Sequence, residues 1–285
     1  MSVRRLTTYE RDGLVFDVTD DGPFDGDPVV LLHGFPEKGS CWAQVTERLH
    51  AAGLRTYAPD QRGYSPGARP RRRRDYRVDV LIEDVVALID RIGRPVHLVG
   101  HDWGSVVGWG VAAKRPDLVR TWTAVSVPHP IAFARSWFTS RQGLKSWYML
   151  LFNVPGLVET VGRRAPGRLR GAMRKAGMDH ADVQRFQHEI LDDDALLGGL
   201  MWYRGLPLVD SSAKRPRVSV PTTLVWSDED VAIARASVDT TPRYVDAPYE
   251  LVELRGVSHW IPSQAPDALA EAVLARVASV ADGAA

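Results

Sequence analysis

The most constraining feature of this 285-residue chain is the segment Gly-His-Asp-Trp-Gly at residues 100–104. An apolar run typical of a strand, residues 95–99, precedes it, and small apolar residues of helix length, 105–113, follow it. A strand, a tight turn with glycine on each flank and a helix form the setting that presents a nucleophile at a helix N-terminus. The glycines tolerate the strained turn and let the helix pack close to the strand. The segment therefore predicts a reactive side chain at its centre, Asp102.

An aspartate at this position indicates attack on a saturated carbon rather than on an acyl group. A serine that attacked saturated carbon would leave an ether, which water could not release. Asp102 would instead leave an alkyl ester, which water can hydrolyse at the enzyme's own carbonyl carbon. The reactions that fit are the opening of an epoxide and the displacement of a halide. An ordinary loop with a polar turn residue is the alternative, and the flanking strand and helix disfavour it.

The composition is that of an ordinary globular protein. The length suits one large domain or a core with an insertion, and the net charge of +1 calls for neither nucleic acid nor an anionic membrane surface. No apolar run reaches the length of a membrane span, and residues 1–10 lack a signal-peptide core. The single Cys41 excludes an internal disulfide and a cysteine-based metal cluster, so a cytoplasmic location is expected. Only five of the 36 basic residues are lysines, which favours a GC-rich bacterial source.

Apolar runs typical of buried strands alternate with helical patterns along most of the chain. The unbroken run at 28–32 is typical of a strand buried on both faces of a parallel sheet, and residues 78–92 have apolar residues at helical spacing. This alternation predicts an α/β fold with a doubly wound, mostly parallel sheet. Between 129 and 217, aromatic residues, arginines and helix formers replace the buried strands. We therefore expect a helical insertion at 129–217 between two core segments, 1–128 and 218–285.

Four segments carry a family resemblance that covers nearly the whole chain: His-Gly-Phe-Pro at 33–36, Asp-Gln-Arg-Gly-Tyr at 60–64, the segment at 100–104, and Gly-Val-Ser-His-Trp at 256–260. They resemble the α/β-hydrolase fold and, within it, the epoxide hydrolases, where the insertion is a helical cap. The aspartate followed by tryptophan is also similar to haloalkane dehalogenases. Two tyrosines in the expected cap favour epoxides.

The order of catalytic residues in this fold is nucleophile, acid, histidine, and His259 follows the last predicted strand in the position of the base. A histidine with a near-neutral pKa can take a proton from water. Three carboxylates, Asp228, Glu229 and Asp230, follow the predicted strand at 222–226, where the family keeps the acid that orients the histidine. The resemblance implies that Asp230 is this acid, with Asp228 as the alternative.

Hydrolysis of the ester on the nucleophile places negative charge on its carbonyl oxygen, which calls for backbone N–H donors. The resemblance implies that these donors are the N–H groups of Phe35 and Trp103, the second of which directly follows the nucleophile. It also implies a cis peptide between Phe35 and Pro36. The side chain of His33 is expected to be structural.

An epoxide releases an alkoxide, a poor leaving group, so ring opening needs a proton donor at the oxygen. The resemblance implies that two cap tyrosines supply it, Tyr148 and Tyr203. A phenol suits this task because it is neutral at pH 7 and donates one hydrogen bond, but each tyrosine could instead be a core aromatic with a satisfied hydroxyl. The candidates for the wall of an apolar pocket are Trp103, Phe35, Phe152 and Trp202, with Trp137 and Phe138 as weaker ones.

The sequence therefore predicts an epoxide hydrolase that forms an ester on Asp102, hydrolyses it with water activated by His259, and releases a vicinal diol without metal or organic cofactor. The expected partners are a small apolar epoxide and water, and a homodimer is one candidate for the oligomeric state. The alternative is a haloalkane dehalogenase, because Trp103 could bind a halide; Phe35, where many dehalogenases carry a polar residue, argues against it. The basic stretch 163–175 is expected to be an exposed helix face, or else a contact for an acidic substrate tail.

Overall fold

A computed structural model describes residues 4–208 and 217–281 of the chain. Eight strands lie within these residues: β1 (Thr8–Arg11), β2 (Leu14–Asp21), β3 (Asp27–Leu32), β4 (Leu54–Pro59), β5 (Val96–His101), β6 (Val119–Val125), β7 (Thr222–Ser227) and β8 (Tyr249–Leu254). They form one sheet in the order β1-β2-β4-β3-β5-β6-β7-β8. The pairs β1-β2 and β2-β4 are antiparallel, and the remaining pairs are parallel. The predicted α/β fold with a mostly parallel sheet is confirmed.

Helices connect these strands and cover both faces of the sheet. The α-helices of the described residues are α1 (Ala43–Ala51), α2 (Val78–Ile92), α3 (Trp103–Lys114), α4 (Pro130–Thr139), α5 (Gln142–Lys145), α6 (Tyr148–Phe152), α7 (Leu157–Arg164), α8 (Pro166–Lys175), α9 (His180–Arg185), α10 (Leu196–Gly205), α11 (Arg235–Thr240), α12 (Ile261–Gln264) and α13 (Pro266–Ala281). A π-helical turn, Phe186–Leu191, follows α9. Short 3-10 turns complete the connections: Gly39–Trp42, Pro66–Ala68, Arg73–Tyr76, Pro116–Leu118, Leu206–Leu208 and Thr241–Tyr244.

The central strands are apolar throughout because each face of the sheet has its own hydrophobic core. In β3, Val30 and Leu32 belong to the core shared with α2 and α3. Val29 and Leu31 point to the opposite face and belong to the core shared with α1 and α13. This two-sided burial explains the unbroken apolar run of the sequence.

The helical insertion occupies residues 130–208, between β6 and β7, and contains α4 to α10. It contacts the core closely at α10, where Gly198 lies against the backbone of Gly63, so that a Cβ on either residue would collide with the other. The indole N–H of Trp202 donates a hydrogen bond of 2.7 Å to the carbonyl oxygen of Arg62. The predicted segment limits 1–128, 129–217 and 218–285 stay a prediction, and residues 209–216 lie outside the described part of the chain.

The carboxyl ends of the parallel strands meet at one edge of the sheet. Phe35 follows β3, Asp102 follows β5, Asp230 follows β7 and His259 follows β8. The fold therefore gathers the predicted reactive residues beneath the helical insertion. None of the helices in the described residues has both the length and the apolarity that a membrane crossing requires.

Candidate active site

Asp102 forms the turn between β5 and α3 in an uncommon backbone conformation, with φ +51° and ψ −118°. A non-glycine residue held in this region stores strain, which persists only where surrounding contacts enforce it. The neighbouring glycines provide those contacts because they let the backbone pack closely around the turn. Gly104 lies so close to the carbonyl group of Leu32, and Gly100 so close to Gly104, that a Cβ on either glycine would collide with its neighbour. The turn therefore holds the carboxylate at the N-terminus of α3.

His259 lies between two carboxylates. Its Nδ1 is 2.8 Å from Oδ2 of Asp230, and its Nε2 is 3.4 Å from Oδ2 of Asp102. The other oxygen of Asp230 accepts backbone N–H bonds from Ala232 at 2.7 Å and Ile233 at 2.9 Å, which fixes the carboxylate. The structure thus brings together the three side chains that the sequence proposed as nucleophile, base and orienting acid.

The competing carboxylates of the same loop lie elsewhere. Asp228 and Glu229 are exposed, whereas Asp230 is only 1% exposed. Oδ1 of Asp228 accepts a hydrogen bond of 2.8 Å from the N–H of Gly256, so this side chain holds a surface turn. Geometry favours Asp230 over Asp228 as the partner of the histidine.

The charges of this group stabilise one another. Burial alone would lower the pKa of His259, but the carboxylates of Asp230 and Asp102 outweigh burial and hold the pKa well above its usual value. Burial alone would raise the pKa of Asp102, but the hydrogen bond and charge of His259 hold it below its usual value. The resting site therefore contains an ionised Asp102 next to an imidazolium.

The loop after β3 supplies a donor to the nucleophile. The backbone N–H of Phe35 donates a hydrogen bond of 2.9 Å to Oδ1 of Asp102. Gly34 permits this approach, because a Cβ there would overlap the Asp102 side chain. The Phe35–Pro36 peptide bond is cis. The second expected donor, the N–H of Trp103, belongs to the first residue of α3.

His33 holds this loop in place. Its Nδ1 faces the carbonyl oxygen of Gly34 at 2.9 Å, and its Nε2 accepts the N–H of Gln61 at 3.0 Å. The Gln61 side chain returns a hydrogen bond of 2.6 Å to the His33 carbonyl oxygen. Burial lowers the pKa of His33, which keeps the ring neutral. These contacts fit the structural role expected from the sequence.

Tyr148 at the start of α6 and Tyr203 in α10 lie side by side, with ring centroids 6.2 Å apart. Burial raises the pKa of both hydroxyls above 10, and the negative charge of Asp102 raises both further. The Trp103 and Tyr203 rings meet edge to face. Both phenols are therefore neutral donors near the nucleophile.

Aromatic rings pack together between the insertion and Asp102. The Tyr203 ring lies 5.2 Å from Phe35, 5.0 Å from Trp103 and 4.9 Å from Phe152. Trp202 is fully buried behind this group, where its ring packs against Trp103 at 5.6 Å. These rings, which we call the aromatic wall, pack around Tyr203 with Trp202 behind them, and their role in lining a substrate pocket stays a prediction.

Two weaker pocket candidates lie away from the aromatic wall. The expectation for Phe138 is wrong, because its side chain is 92% exposed at the end of α4. Trp137 is half-buried and packs on Phe133. Helical spacing alone does not tell which face of a short cap helix turns outward.

Sequence reasoning missed a second histidine–carboxylate pair next to His259. The ring of His101 faces the His259 carbonyl oxygen at 3.0 Å through Nε2. Its Nδ1 lies 3.2 Å from Oε2 of Glu37, and both side chains are buried. His101 thus lies between the backbone of the His259 loop and the buried carboxylate of Glu37, and it connects the loop after β8 to the loop after β3. The sequence feature that could have indicated this pair is the position of Glu37, directly after the His-Gly-Phe-Pro segment at 33–36.

This sheet order, with Asp102 after β5 and His259 after β8 under a helical insertion, is the α/β-hydrolase fold. The sequence matches the Alpha/beta hydrolase family over residues 29–272. The chain belongs to the alpha/beta hydrolase family.

Individual relatives agree with this assignment. The chain is 32% identical to AB hydrolase superfamily protein YfhM from Bacillus subtilis, over 92% of this chain and 94% of that protein. It is 30% identical to Epoxide hydrolase 2 from Caenorhabditis elegans, over 87% of this chain and 72% of that protein. A solved structure described among novel epoxide hydrolases from metagenomes of hot environments aligns with a TM-score of 0.84 at 27% identity, covering 97% of this chain and 99% of that one.

Proposed function

We propose that the protein is an epoxide hydrolase that converts a small apolar epoxide to a vicinal diol through an ester on Asp102. The observation that carries the proposal is the pair of neutral phenols, Tyr148 and Tyr203, beside an ionised carboxylate nucleophile. A carboxylate is suited to attack on saturated carbon, and phenols are suited to protonating an alkoxide. The names of several relatives support the same reaction.

In the first step, Oδ2 of Asp102 attacks a ring carbon and the carbon–oxygen bond of the epoxide breaks. Oδ1 keeps its hydrogen bond from Phe35 and becomes the carbonyl oxygen of the ester. The released oxygen takes a proton from Tyr148 or Tyr203. The phenol regains that proton from the imidazolium of His259, which leaves a hydroxyalkyl ester and a neutral histidine.

The second step follows from the loss of charge on Asp102. The ester no longer stabilises a proton on His259, so the pKa of His259 falls after ring opening. The neutral ring, oriented by Asp230, takes a proton from water as the water oxygen attacks the ester carbon. The N–H groups of Phe35 and Trp103 stabilise the oxyanion. As the ester bond breaks, the proton on the added water oxygen passes to the departing alkoxide oxygen, so release of the diol restores the carboxylate of Asp102 and the imidazolium of His259.

Halide displacement is less well supported by these contacts. A halide leaves without a proton, and its site needs free N–H donors. Here the Trp103 ring packs edge to face against Tyr203, and Phe35 adds an apolar ring and no polar side chain.

The test is the capture of the intermediate. In His259→Gln the ester should form and persist, so the intact mass of the protein should rise by that of one substrate. Styrene oxide and 1-bromobutane, each incubated with the variant, compare epoxide opening with halide loss. Asp102→Asn with His259→Gln is the matched control and should gain no mass. If epoxides leave the mass of His259→Gln unchanged, the proposed reaction is wrong; an adduct from the bromide alone would indicate a dehalogenase.

A further inference from the structure

The insertion has an outer surface that the proposed reaction does not use. We call the exposed side chains of residues 138–175 the outer cap surface; these residues run from the end of α4 to the end of α8. Neighbouring helices pack in sequence along it, α4 on α5, α6 on α7 and α7 on α8. Exposed large apolar side chains and an unbalanced positive charge distinguish this surface from the rest of the molecule.

Six of the eleven exposed large apolar side chains of the described residues lie on the outer cap surface: Phe138, Leu144, Trp147, Leu150, Val154 and Leu157. Trp147 and Leu150 are 63% and 72% exposed. They lie beside Tyr148 and Phe152 on α6, whose rings face Tyr203. The helix that carries a proposed proton donor inward thus presents apolar groups outward. Concentrated apolar exposure of this kind marks an interaction surface.

The charge of the same residues is strongly positive. They include eight basic side chains and one acidic side chain, Glu159, which pairs with Arg204. Without these 38 residues and their excess of seven positive charges, the net charge of the chain changes from +1 to −6. Six exposed bases have no ion pair within the described residues: Arg163, Arg164, Arg168, Arg170, Arg174 and Lys175. The whole-chain charge of +1 conceals this local imbalance.

We infer that the outer cap surface docks on an anionic lipid bilayer. Its partner must accept apolar side chains and neutralise several positive charges, and a bilayer with anionic headgroups does both within a few ångströms. A symmetric dimer through this surface would bring the same bases face to face, which like-charge repulsion opposes. The basic stretch 163–175 would then contact lipid headgroups rather than a substrate tail. Docking does not depend on the proposed reaction, although apolar epoxides that dissolve in the bilayer would be close to α6.

The test measures sedimentation of the full chain with vesicles of phosphatidylcholine alone or mixed with phosphatidylglycerol. The chain should bind the anionic vesicles, and the binding should weaken as salt rises. The triple variant Arg163→Ser, Arg168→Ser, Arg174→Ser should bind about 100-fold more weakly, at about fivefold for each arginine. Trp147→Ser with Leu150→Ser should bind about tenfold more weakly because less apolar area is buried. Unchanged thermal unfolding verifies that the variants are folded.

The matched control removes three exposed arginines elsewhere, Arg72→Ser, Arg91→Ser and Arg255→Ser, and lowers the net charge equally. It should keep its binding to within about threefold. Equal weakening in both triple variants would overturn the proposal, because binding would then follow net charge alone. Failure of the chain to bind anionic vesicles would also overturn the proposal. A dimer detected by ultracentrifugation and abolished by Trp147→Ser would overturn it as well, because a second copy of the chain would then cover the outer cap surface.

Discussion

Arg204 connects the helices that carry the two tyrosines, and its removal should disturb them together. It follows Tyr203 on α10 and forms an ion pair of 2.7 Å with Glu159 on α7. Its Nε donates 2.9 Å to the carbonyl oxygen of Phe152 at the end of α6, and Nη2 donates 3.3 Å to that of Val154. Arg204→Met would remove all of these bonds while keeping a long apolar side chain.

The loss of stability should be large because the pair is buried. The side chains of Arg204 and Glu159 are 8% and 11% exposed. Removing one partner of a buried ion pair costs about 3–5 kcal/mol of unfolding free energy, chiefly because the other charge is left buried and unpaired. We expect a loss of about 3 kcal/mol, at the low end of this range, because Glu159 lies near the outer cap surface and water can solvate its carboxylate. This corresponds to a fall in Tm of about 6–10 °C for a chain of this size.

The assay combines thermal unfolding with single-turnover kinetics on an epoxide. Arg204→Met should slow ring opening about tenfold or more, because misplaced tyrosines protonate poorly. Ester hydrolysis depends on His259 and Asp230 and should change less than twofold. Arg204→Met with Glu159→Gln should recover at least half of the lost Tm, because no charge is stranded. A Tm change below about 2 °C, or an equal slowing of both steps, would refute the reasoning.

Three further predictions concern the site itself. Tyr148→Phe with Tyr203→Phe should abolish formation of the ester in His259→Gln, whereas either change alone should slow ring opening by roughly 10²-fold or less; full activity of the double variant would contradict this. In a steady-state assay, Asp230→Asn should lower turnover by about 10⁴-fold, whereas Asp228→Asn should lower it by less than twofold. If the two variants lose activity to a similar extent, Asp230 is not the residue that orients His259. Folding raises the pKa of His259, so the protonated ring stabilises the folded state. This contribution to the free energy of unfolding is complete below about pH 6.5 and is lost as the pH rises through the pKa of His259 in the folded chain. The gap in unfolding free energy between the native chain and His259→Gln should therefore narrow from pH 6 to pH 10, and a constant gap in denaturant titrations would contradict the charge assignment.

The sheet could be predicted wherever strands are buried on both faces. The apolar runs of β3 and β7 have no other common explanation, and their ends locate the reactive loops. The edge strand β1 was not predicted, because its Thr-Tyr-Glu-Arg sequence buries only Tyr9. The available signal was the Asp12-Gly13 turn, whose two residues have positive φ, as a tight hairpin requires.

The positions of the site residues could be predicted where each residue falls on a local motif. Asp102 lies in a strand–turn–helix segment and His259 follows the last strand, so both could be located by order. Arg204 and His101 act through partners distant in sequence, Glu159 and Glu37, and no local pattern joins them. The outward position of Phe138 also depends on packing between separate helices.

The central claim is that the carboxylate of Asp102 gives its own oxygen to the product. A single turnover with protein in excess over epoxide, carried out in ¹⁸O-labelled water, tests this directly by mass spectrometry of the diol and of the peptide that contains Asp102. The account predicts an unlabelled diol and one heavy oxygen in the Asp102 carboxylate. A labelled diol from the first turnover, with an unlabelled Asp102, would mean that water attacks the epoxide directly and would contradict the account.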